Sequence, residues 1–259
     1  MLPKYSHRYS ITAADMDTQY LMTPSAVLLY YQDCWARYMS CLNLAAFDMS
    51  KRQMLWVITE FNACFTSEHA FWSDEIEVEV WNSEISAVRL YSDFIIRRAD
   101  THAELVHGFG CWNLLNSTQH KIVSTDLIRE QITIVPELTT EHHKRKRITA
   151  ADSVLQKVEH KVNPINLDFN GHVNNRTYLE IAIQTATEGF LSHNQVKNFA
   201  IYWKHETFLG EVITCELRKS EEQFVHVLTK NEGVEVAQII SEWVPKTLSI
   251  DVADVVSRT

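Results

Sequence analysis

The chain contains two related stretches, D-T-Q-Y-L-M-T-P-S-A-V at residues 17–27 and D-F-N-G-H-V-N-N-R-T-Y at residues 168–178. Each stretch leads into an apolar pattern typical of a helix, and each helix pattern is followed by a strand pattern. These strand patterns are W-V-I-T-E-F-N-A-C-F at 56–65 and F-A-I-Y-W-K-H-E-T-F at 199–208. A repeat with a period of about half the chain predicts that one module occurs twice.

Each module is predicted to contain one long apolar helix and several antiparallel strands. Between residues 24 and 39 the polar positions Gln32, Asp33 and Arg37 share one narrow face, so the helix is expected to be buried nearly all round. Alternating runs such as I-E-V-E-V-W at 76–81 are typical of antiparallel strands. The fold class is therefore α+β, with each helix wrapped by a sheet.

The predicted boundaries give a first module at 1–136, a basic linker at 137–154 and a second module at 155–259. The linker contains the densest positive charge of the chain, H-H-K-R-K-R at 142–147, and it interrupts the apolar periodicity. This run is either a solvated linker or a surface that meets an acidic partner.

Composition excludes several classes of protein. A net charge of -9 disfavours nucleic acid as a partner. No segment approaches the roughly 18 apolar residues that cross a membrane, and the first residues lack a signal-peptide pattern, so a cytoplasmic protein is expected. Five cysteines without C-x-x-C spacing are expected to be buried thiols in a reducing compartment. The twelve histidines form no recognisable metal motif, so no metal or other cofactor is predicted.

The second copy of the repeat contains a polar cluster that the first copy lacks. Asp168, Asn170 and His172 alternate with Phe169 and Gly171, which allows the three polar side chains to project toward one site and activate water. A second interpretation is that such residues only form turns and helix caps, with Asn174 or Asn175 capping the helix that follows. Capping accounts for the asparagines but not for the histidine.

Three segments resemble the acyl-acyl carrier protein thioesterase family, the plant FatA and FatB type and its bacterial relatives. They are L-D-F-N-G-H-V-N-N-R-T-Y at 167–178, W-K-H-E-T at 203–207 and C-W-N-L-L-N-S-T-Q-H-K-I at 111–122. The resemblance spans nearly the whole chain and implies a tandem hotdog fold. It also implies release of free fatty acid from acyl carrier protein thioesters, which ends elongation of the acyl chain.

The resemblance implies that Asp168, Asn170 and His172 are catalytic and that Glu206, on the neighbouring strand, completes the site. His205 would then point away from Glu206, because adjacent strand residues face opposite sides. At position 207 plant members often have a cysteine, whereas this chain has Thr207, so a cysteine mechanism is not expected. The alternative for Glu206 is a structural ion pair with Lys204.

Thioester hydrolysis needs a base for water, donors for the oxyanion and a proton for the thiolate. Glu206 or His172 could be the base, and Asp168 could orient the imidazole or attack the carbonyl directly. Asn170 could hold water or substrate, and the backbone N-H groups of residues 171–173 are candidate oxyanion donors. The sequence does not rank these roles.

The first module has Asp17, Gln19, Leu21 and Ala63 where the second has its four candidate catalytic residues, so it is predicted to hold the acyl chain instead. The candidate acyl-chain residues are Met22, Val27, Tyr31, Trp35, Met54, Trp56 and Phe61. The candidate contacts for the acidic carrier protein are Lys144, Arg145, Lys146 and Arg147. A homodimer is possible, although the tandem repeat can replace it.

Two other functions fit the same pattern. An acyl-CoA thioesterase would use the same water chemistry with a different carrier, and a noncatalytic acyl-thioester binding protein would retain only the pocket.

Overall fold

The computed structural model describes residues 2–18, 20–142, 153–220, 223–231 and 233–246. The chain divides into two compact units. The first unit comprises Met1–Met22 and Val27–His143, and the second comprises Thr23–Ala26 and Lys144–Thr259. Gln19 and the four predicted carrier contacts, Lys144, Arg145, Lys146 and Arg147, lie outside the described residues.

The first unit contains an antiparallel sheet, the long helix α1 (Pro24–Cys41) from Val27 onward, and the short α2 (Ala46–Ser50). The strands are β1 (Lys4–Ser10), β2 (Met54–Phe65), β3 (Glu75–Ile85), β4 (Leu90–Arg98), β5 (Glu104–Asn116) and β6 (Lys121–Val123). Within this unit they lie in the order β1-β3-β4-β5-β2, and β6 pairs with the end of β5.

Helix α1 is buried on most of its surface, as its sequence predicts. Its exposed residues are confined to one stripe and include Asp33, Arg37 and Ser40. Arg37 forms an ion pair with Asp33 one turn earlier on this stripe. The remaining faces of α1 pack into the interior of the first unit.

Aromatic side chains fill the contact between α1 and the sheet. Trp35 on α1 stacks on Trp112 of β5, with ring centroids 3.8 Å apart and ring planes 5° from parallel. The Trp112 indole N-H donates to the Tyr31 hydroxyl at 2.7 Å. A Cβ at Gly110 would lie only 2.2 Å from that hydroxyl oxygen, so the approach of Tyr31 to β5 requires glycine there.

The segment 137–142, predicted to begin an exposed linker, is anchored to the first unit instead. The Trp81 indole N-H donates to the backbone oxygen of Glu137 at 2.7 Å. The fully buried Asp93 carboxylate accepts from the backbone N-H of Thr139 at 2.7 Å and lies 2.8 Å from His142 Nε2. A buried charge requires such partners, and these were not evident from the sequence because Asp93 lies 49 residues from His142.

The described part of the second unit has five antiparallel strands and two short α-helices. The elements are β7 (Val154–Lys161), α3 (Asn175–Ile183), α4 (Glu188–His193), β8 (Asn194–Trp203), β9 (Val212–Ser220), β10 (Gln223–Lys230) and β11 (Val234–Pro245). Within this unit the strand order is β8-β11-β10-β9-β7. Strand β7 includes Val154, which the sequence had placed in the linker.

Helix α3 is shorter than predicted, with nine residues against eighteen in α1. Just after it, the Thr185 hydroxyl donates to the backbone oxygen of Ala182 at 2.7 Å. The Thr187 hydroxyl then caps α4 by accepting from the Phe190 N-H at 3.2 Å. These short polar side chains bind local backbone groups and end the helix.

None of the five cysteines, all within the described ranges, forms a disulfide bond. Cys34, Cys111 and Cys215 are buried, as predicted, but Cys41 at the end of α1 is exposed and Cys64 is half-buried. Burial raises the pKa of the Cys215 thiol to about 12. Separately, none of the helices within the described ranges is long and apolar enough to span a membrane.

Candidate active site

The loop between Leu167 and Val173 is a tight turn closed at its base. Leu167 and Val173 form an isolated antiparallel bridge, and the Asp168 N-H donates to the backbone oxygen of His172 at 2.8 Å. Gly171 has a φ of +79°, a conformation that favours glycine. The Asp168 carboxylate accepts from the backbone N-H groups of Asn170 at 2.8 Å and His172 at 3.2 Å. Asp168 therefore holds the shape of the loop.

The first unit repeats the bridge and several of the hydrogen bonds of this loop. Met16 and Met22 form the corresponding bridge, and the Asp17 N-H donates to the backbone oxygen of Leu21 at 2.8 Å. The Asp17 carboxylate accepts from the Leu21 N-H at 3.0 Å. The predicted pairing of Asp17 with Asp168 and of Leu21 with His172 is thus confirmed. Since the first loop has no imidazole, the role that both aspartates share is structural.

The start of α3 sets the direction of the chain at the end of the loop formed by residues 167–173. Asn174 is the N-cap, and its side-chain oxygen accepts from the Arg176 N-H at 3.1 Å. The capping role suggested by the sequence is therefore confirmed for Asn174. The preceding residue, Val173, donates its N-H to the backbone oxygen of Thr207 at 2.9 Å. This bond joins the two segments that contain the candidate catalytic residues.

Glu206 does not lie on a strand, so that prediction was wrong. Strand β8 ends at Trp203, and the N-H groups of both Lys204 and His205 point to one acceptor, the backbone oxygen of Val236, at 2.8 and 3.3 Å. The chain leaves the sheet there, and strand alternation no longer determines side-chain direction. Lys204 forms its ion pair with Glu235 at 2.5 Å. The anticipated structural partner of Glu206 is therefore bound elsewhere.

His172 and Glu206 come together at the surface of the second unit. The Nδ1 atom of His172 lies 3.5 Å from a carboxylate oxygen of Glu206, and the two side chains are 30% and 40% exposed. The edge of the Phe208 ring packs against the imidazole, with ring centroids 5.1 Å apart. The pair is therefore oriented by an aromatic neighbour yet accessible to a substrate.

The other predicted groups are arranged differently. Asn170 is exposed, and its side-chain nitrogen lies 3.5 Å from Asp168, which is at the limit of a hydrogen bond. The backbone N-H groups of Gly171, His172 and Val173, the candidate oxyanion donors, all donate to acceptors within the protein. Of these groups, the Asn170 amide is the donor on the exposed surface of the loop.

Thr207 is fully buried and is already hydrogen-bonded. The Tyr178 hydroxyl on α3 donates to the Thr207 hydroxyl at 3.1 Å. Burial raises the pKa of Tyr178 to about 12, so the phenol remains neutral and remains a donor. Thr207 therefore links α3 to the segment at residues 204–211, here called the Glu206 loop. Because it is buried, Thr207 is shielded from any substrate.

Two residues that the sequence did not single out hold the Glu206 loop. The Lys230 ammonium group donates to the backbone oxygen of Glu206 at 2.5 Å and to Glu211 at 3.0 Å. Glu211 also accepts from the Phe208 N-H at 2.7 Å. Lys230 lies at the end of β10, 24 residues beyond Glu206, so only the strand register reveals the contact.

The candidate acyl-chain residues of the first unit pack into its interior. Val27, Tyr31 and Phe61 are fully buried, and Trp35 packs edge-on against Trp56 at 5.2 Å. Met54 is buried and Met22 is half-buried. Their role in binding an acyl chain stays a prediction.

Among the described residues, no three His, Cys, Asp or Glu side chains come together as metal ligands. The polar side chains at the candidate site are the imidazole of His172, the carboxylates of Asp168 and Glu206 and the amide of Asn170.

Comparison with protein families gives two matches in tandem. Residues 3–132 match the acyl-ACP thioesterase N-terminal domain, and residues 149–245 match the acyl-ACP thioesterase C-terminal domain.

Relatives among characterised proteins are distant in sequence. The chain is 22% identical over 219 residues to a chloroplastic palmitoyl-acyl carrier protein thioesterase of Arabidopsis thaliana, covering 77% of this chain and 52% of the relative. It is 24% identical over 211 residues to the dodecanoyl-[acyl-carrier-protein] hydrolase of Cinnamomum camphora, covering 77% and 55% respectively. The chain thus spans about half the length of the curated relatives it matches.

Solved structures share the fold over nearly the whole chain. An acyl-ACP thioesterase from Bacteroides thetaiotaomicron superposes with a TM-score of 0.83 at 14% identity, covering 93% of this chain and 98% of that one. The 12:0-ACP thioesterase from Umbellularia californica gives a TM-score of 0.83 at 18% identity, covering 94% and 98%. The predicted α+β tandem hotdog fold is confirmed.

Proposed function

Because the chain belongs to the acyl-ACP thioesterase family, we propose that it hydrolyses fatty acyl-acyl carrier protein thioesters and releases free fatty acid. This reaction would end elongation of the acyl chain. The observation that carries the proposal is the accessible His172–Glu206 pair, with Nδ1 and the carboxylate oxygen 3.5 Å apart beside the start of α3. Acid-base pairs are often long before substrate binds and shorten in the complex.

In the proposed mechanism the imidazole of His172 activates water. The Nδ1-H group donates a hydrogen bond to the Glu206 carboxylate, which holds the imidazole in the tautomer whose Nε2 takes a proton from the attacking water. The water oxygen bonds to the thioester carbonyl carbon, and the carbon-sulfur bond then breaks. The departing thiolate takes the proton back from the imidazolium, which yields a fatty acid and the carrier thiol.

Asn170 is the proposed donor to the developing oxyanion. Its amide is exposed on the same loop as His172, and a donor aimed at that oxygen is worth about 10² to 10³ in rate in other hydrolases. Asp168 contributes by holding the loop rather than by attacking the carbonyl. Each residue of the predicted cluster thus has a proposed role, and that of Asp168 is to position the loop.

The proposed partner is an acyl carrier protein, which is acidic. The chain itself has a net charge of -9, so binding such a partner needs a local positive surface. We assign that contact to Lys144, Arg145, Lys146 and Arg147, the densest basic run in the sequence.

The test follows free thiol release from matched acyl carrier protein and acyl-CoA thioesters. We expect Glu206→Gln and His172→Ala each to lower kcat by about 10² to 10⁴, the usual contribution of general acid-base catalysis. Glu235→Gln is the matched control, because it removes a neighbouring carboxylate that pairs with Lys204 instead. Circular dichroism checks that each variant is folded.

Each outcome is decisive. Native activity in both site variants would eliminate the proposed site. Faster release from acyl-CoA than from the carrier substrate would instead make the chain an acyl-CoA thioesterase. Tight binding of both thioesters without release would make it a noncatalytic binding protein.

A further inference from the structure

The end of strand β10 contacts the Glu206 loop at two points. The ammonium group of Lys230, the last residue of β10, donates to the backbone oxygen of Glu206 at 2.5 Å and to the Glu211 carboxylate at 3.0 Å. The side-chain amide of the next residue, Asn231, donates to the same carboxylate at 2.9 Å. Strand β10 therefore binds both the middle and the end of the loop.

The contact between Lys230 and Glu211 is partly shielded from solvent. Their side chains are 13% and 20% exposed, whereas those of the surface pair Arg176 and Glu180 are 42% and 40% exposed. Water screens an exposed ion pair more strongly than a partly buried one. A hydrogen bond from an ammonium group is also about twice as strong as one between neutral groups. These contacts are thus suited to hold the loop in a single position.

The direction of the Glu206 side chain depends on its backbone. The side chain is 40% exposed, and its carboxylate lies 3.5 Å from His172 Nδ1. An exposed glutamate can occupy several rotamers, so surface packing does not fix it. The hydrogen bond from Lys230 holds the carbonyl group of Glu206 and, with it, the rigid peptide plane that follows. Lys230 therefore helps to set where the Glu206 carboxylate begins.

The residues after Glu206 are held by other contacts. The Thr207 backbone oxygen accepts from the Val173 N-H at 2.9 Å, and its hydroxyl accepts from Tyr178 at 3.1 Å. Phe208 forms an isolated antiparallel bridge with His172. Removal of the Lys230 ammonium group would leave these bonds in place. The expected effect is a displaced Glu206 in a loop that stays attached to the candidate site.

We infer that Lys230 is a positioning residue for the reaction and acts through Glu206. The inference rests on the proposed thioesterase function, in which the Glu206 carboxylate holds the proton of His172 on Nδ1. Misplacing a catalytic group by about 1 Å can lower the rate about 10²-fold. The Lys230 ammonium group is bound to acceptors of the protein, so its removal affects the rate of the chemical step rather than substrate binding.

The kinetic test follows thiol release from an acyl carrier protein thioester. Lys230→Met removes the ammonium group, and we expect kcat to fall about ten- to hundred-fold while KM stays the same. The double variant Lys230→Met/Glu206→Gln should be no slower than Glu206→Gln alone, because two residues that act as a unit are not additive. Lys204→Met is the matched control. It removes the same charge from the start of the loop, where the ammonium group binds Glu235, and it should keep the native kcat.

Three results would overturn the inference. They are a native kcat in Lys230→Met, an equal loss in Lys204→Met, and an effect of Lys230→Met that is as large in the Glu206→Gln background as in the native protein. Circular dichroism checks that each variant is folded. If Lys230→Met does not fold, Glu211→Gln takes its place in the same cycle with the same expectation, because it removes the carboxylate that holds the ammonium group.

A spectroscopic measurement tests the inference without turnover. If the native protein releases no thiol from any thioester, the proposed function fails, and nuclear magnetic resonance of ¹⁵N-labelled histidine then reports on Glu206 directly. The His172 signal is the one missing from His172→Gln protein. Near pH 8, where an ordinary imidazole is neutral, Lys230→Met and Glu206→Ala should both lower the fraction of His172 with its proton on Nδ1. A native tautomer in folded Lys230→Met, with a shifted one in Glu206→Ala, would refute the role of Lys230.

Discussion

The residue type at Asp168 suggests a catalytic carboxylate, but its contacts indicate a structural role. It accepts two backbone hydrogen bonds within its own loop. Asp17 makes the equivalent bond to Leu21 in a loop that lacks a histidine. Both loops contain the aspartate, but only the second contains the candidate catalytic histidine. This indicates that the aspartate shapes the turn.

Substitutions of Asp168 distinguish a structural role in the loop from a role of its negative charge in the reaction. We expect Asp168→Asn to keep most activity, because an amide oxygen can accept the same two N-H groups. Asp168→Ala should lower the free energy of unfolding by about 1 to 3 kcal/mol, since two hydrogen bonds are lost. Urea unfolding and thiol release measure the two effects, with Asp17→Ala as the matched control for loop stability. Loss of turnover in a fully stable Asp168→Asn protein would mean that the negative charge takes part in the reaction.

At the scale of elements, the Lys204–Glu211 segment shows what strand ends contribute. Glu211 accepts hydrogen bonds from the Phe208 N-H, Lys230 and Asn231. Burial by itself would raise the pKa of Glu211, but these three donors together hold it below its usual range. The carboxylate thus fastens the loop that presents Glu206 to the end of β10.

This lowered pKa predicts an acid-dependent loss of stability. A carboxyl whose pKa is lower in the folded than in the unfolded chain stabilises the fold above its unfolded pKa, about 4.3, and that stabilisation is lost as the pH falls through the folded pKa. We expect Glu211→Gln to unfold more easily than the native protein near pH 6 and to lose less stability on acidification. Urea unfolding from pH 6 to pH 3 measures both. Glu180→Gln, on the surface of α3, is the control. If the free energy of unfolding falls with pH in parallel for the native and Glu211→Gln proteins, Glu211 is not the source of the acid-dependent loss.

The repeated sequence pattern predicted these elements well where local rules apply. The pairing of Asp17 with Asp168, the cap at Asn174 and the buried faces of α1 depend on residues a few positions apart. Glu206 was misplaced because β8 ends earlier in its unit than β2 does in the first, at Trp203 rather than at the position equivalent to Phe65. Lys230 and Asp93 could not be assigned at all, because their partners depend on strand register and chain path.

At the scale of the whole molecule, charge distribution governs the proposed encounter with the carrier. Reversing Lys144, Arg145, Lys146 and Arg147 to glutamate should raise KM for the carrier substrate several-fold and leave kcat unchanged. Added salt should raise the native KM toward that of the variant, because the Debye length shortens from about 10 Å at 0.1 M to about 3 Å at 1 M. An uncharged short-chain thioester provides the control. Equal KM values for native and variant proteins on the carrier substrate would remove these residues from the contact.

The parallel stack of Trp35 on Trp112 gives the first unit an optical signature. Two indoles 3.8 Å apart with nearly parallel planes couple their electronic transitions, which should split their circular dichroism bands into a couplet of opposite sign. Trp35→Phe should abolish that couplet. Because both indoles belong to the first unit, the couplet would follow the melting of that unit within the intact chain, while thiol release reports on the unit that contains His172.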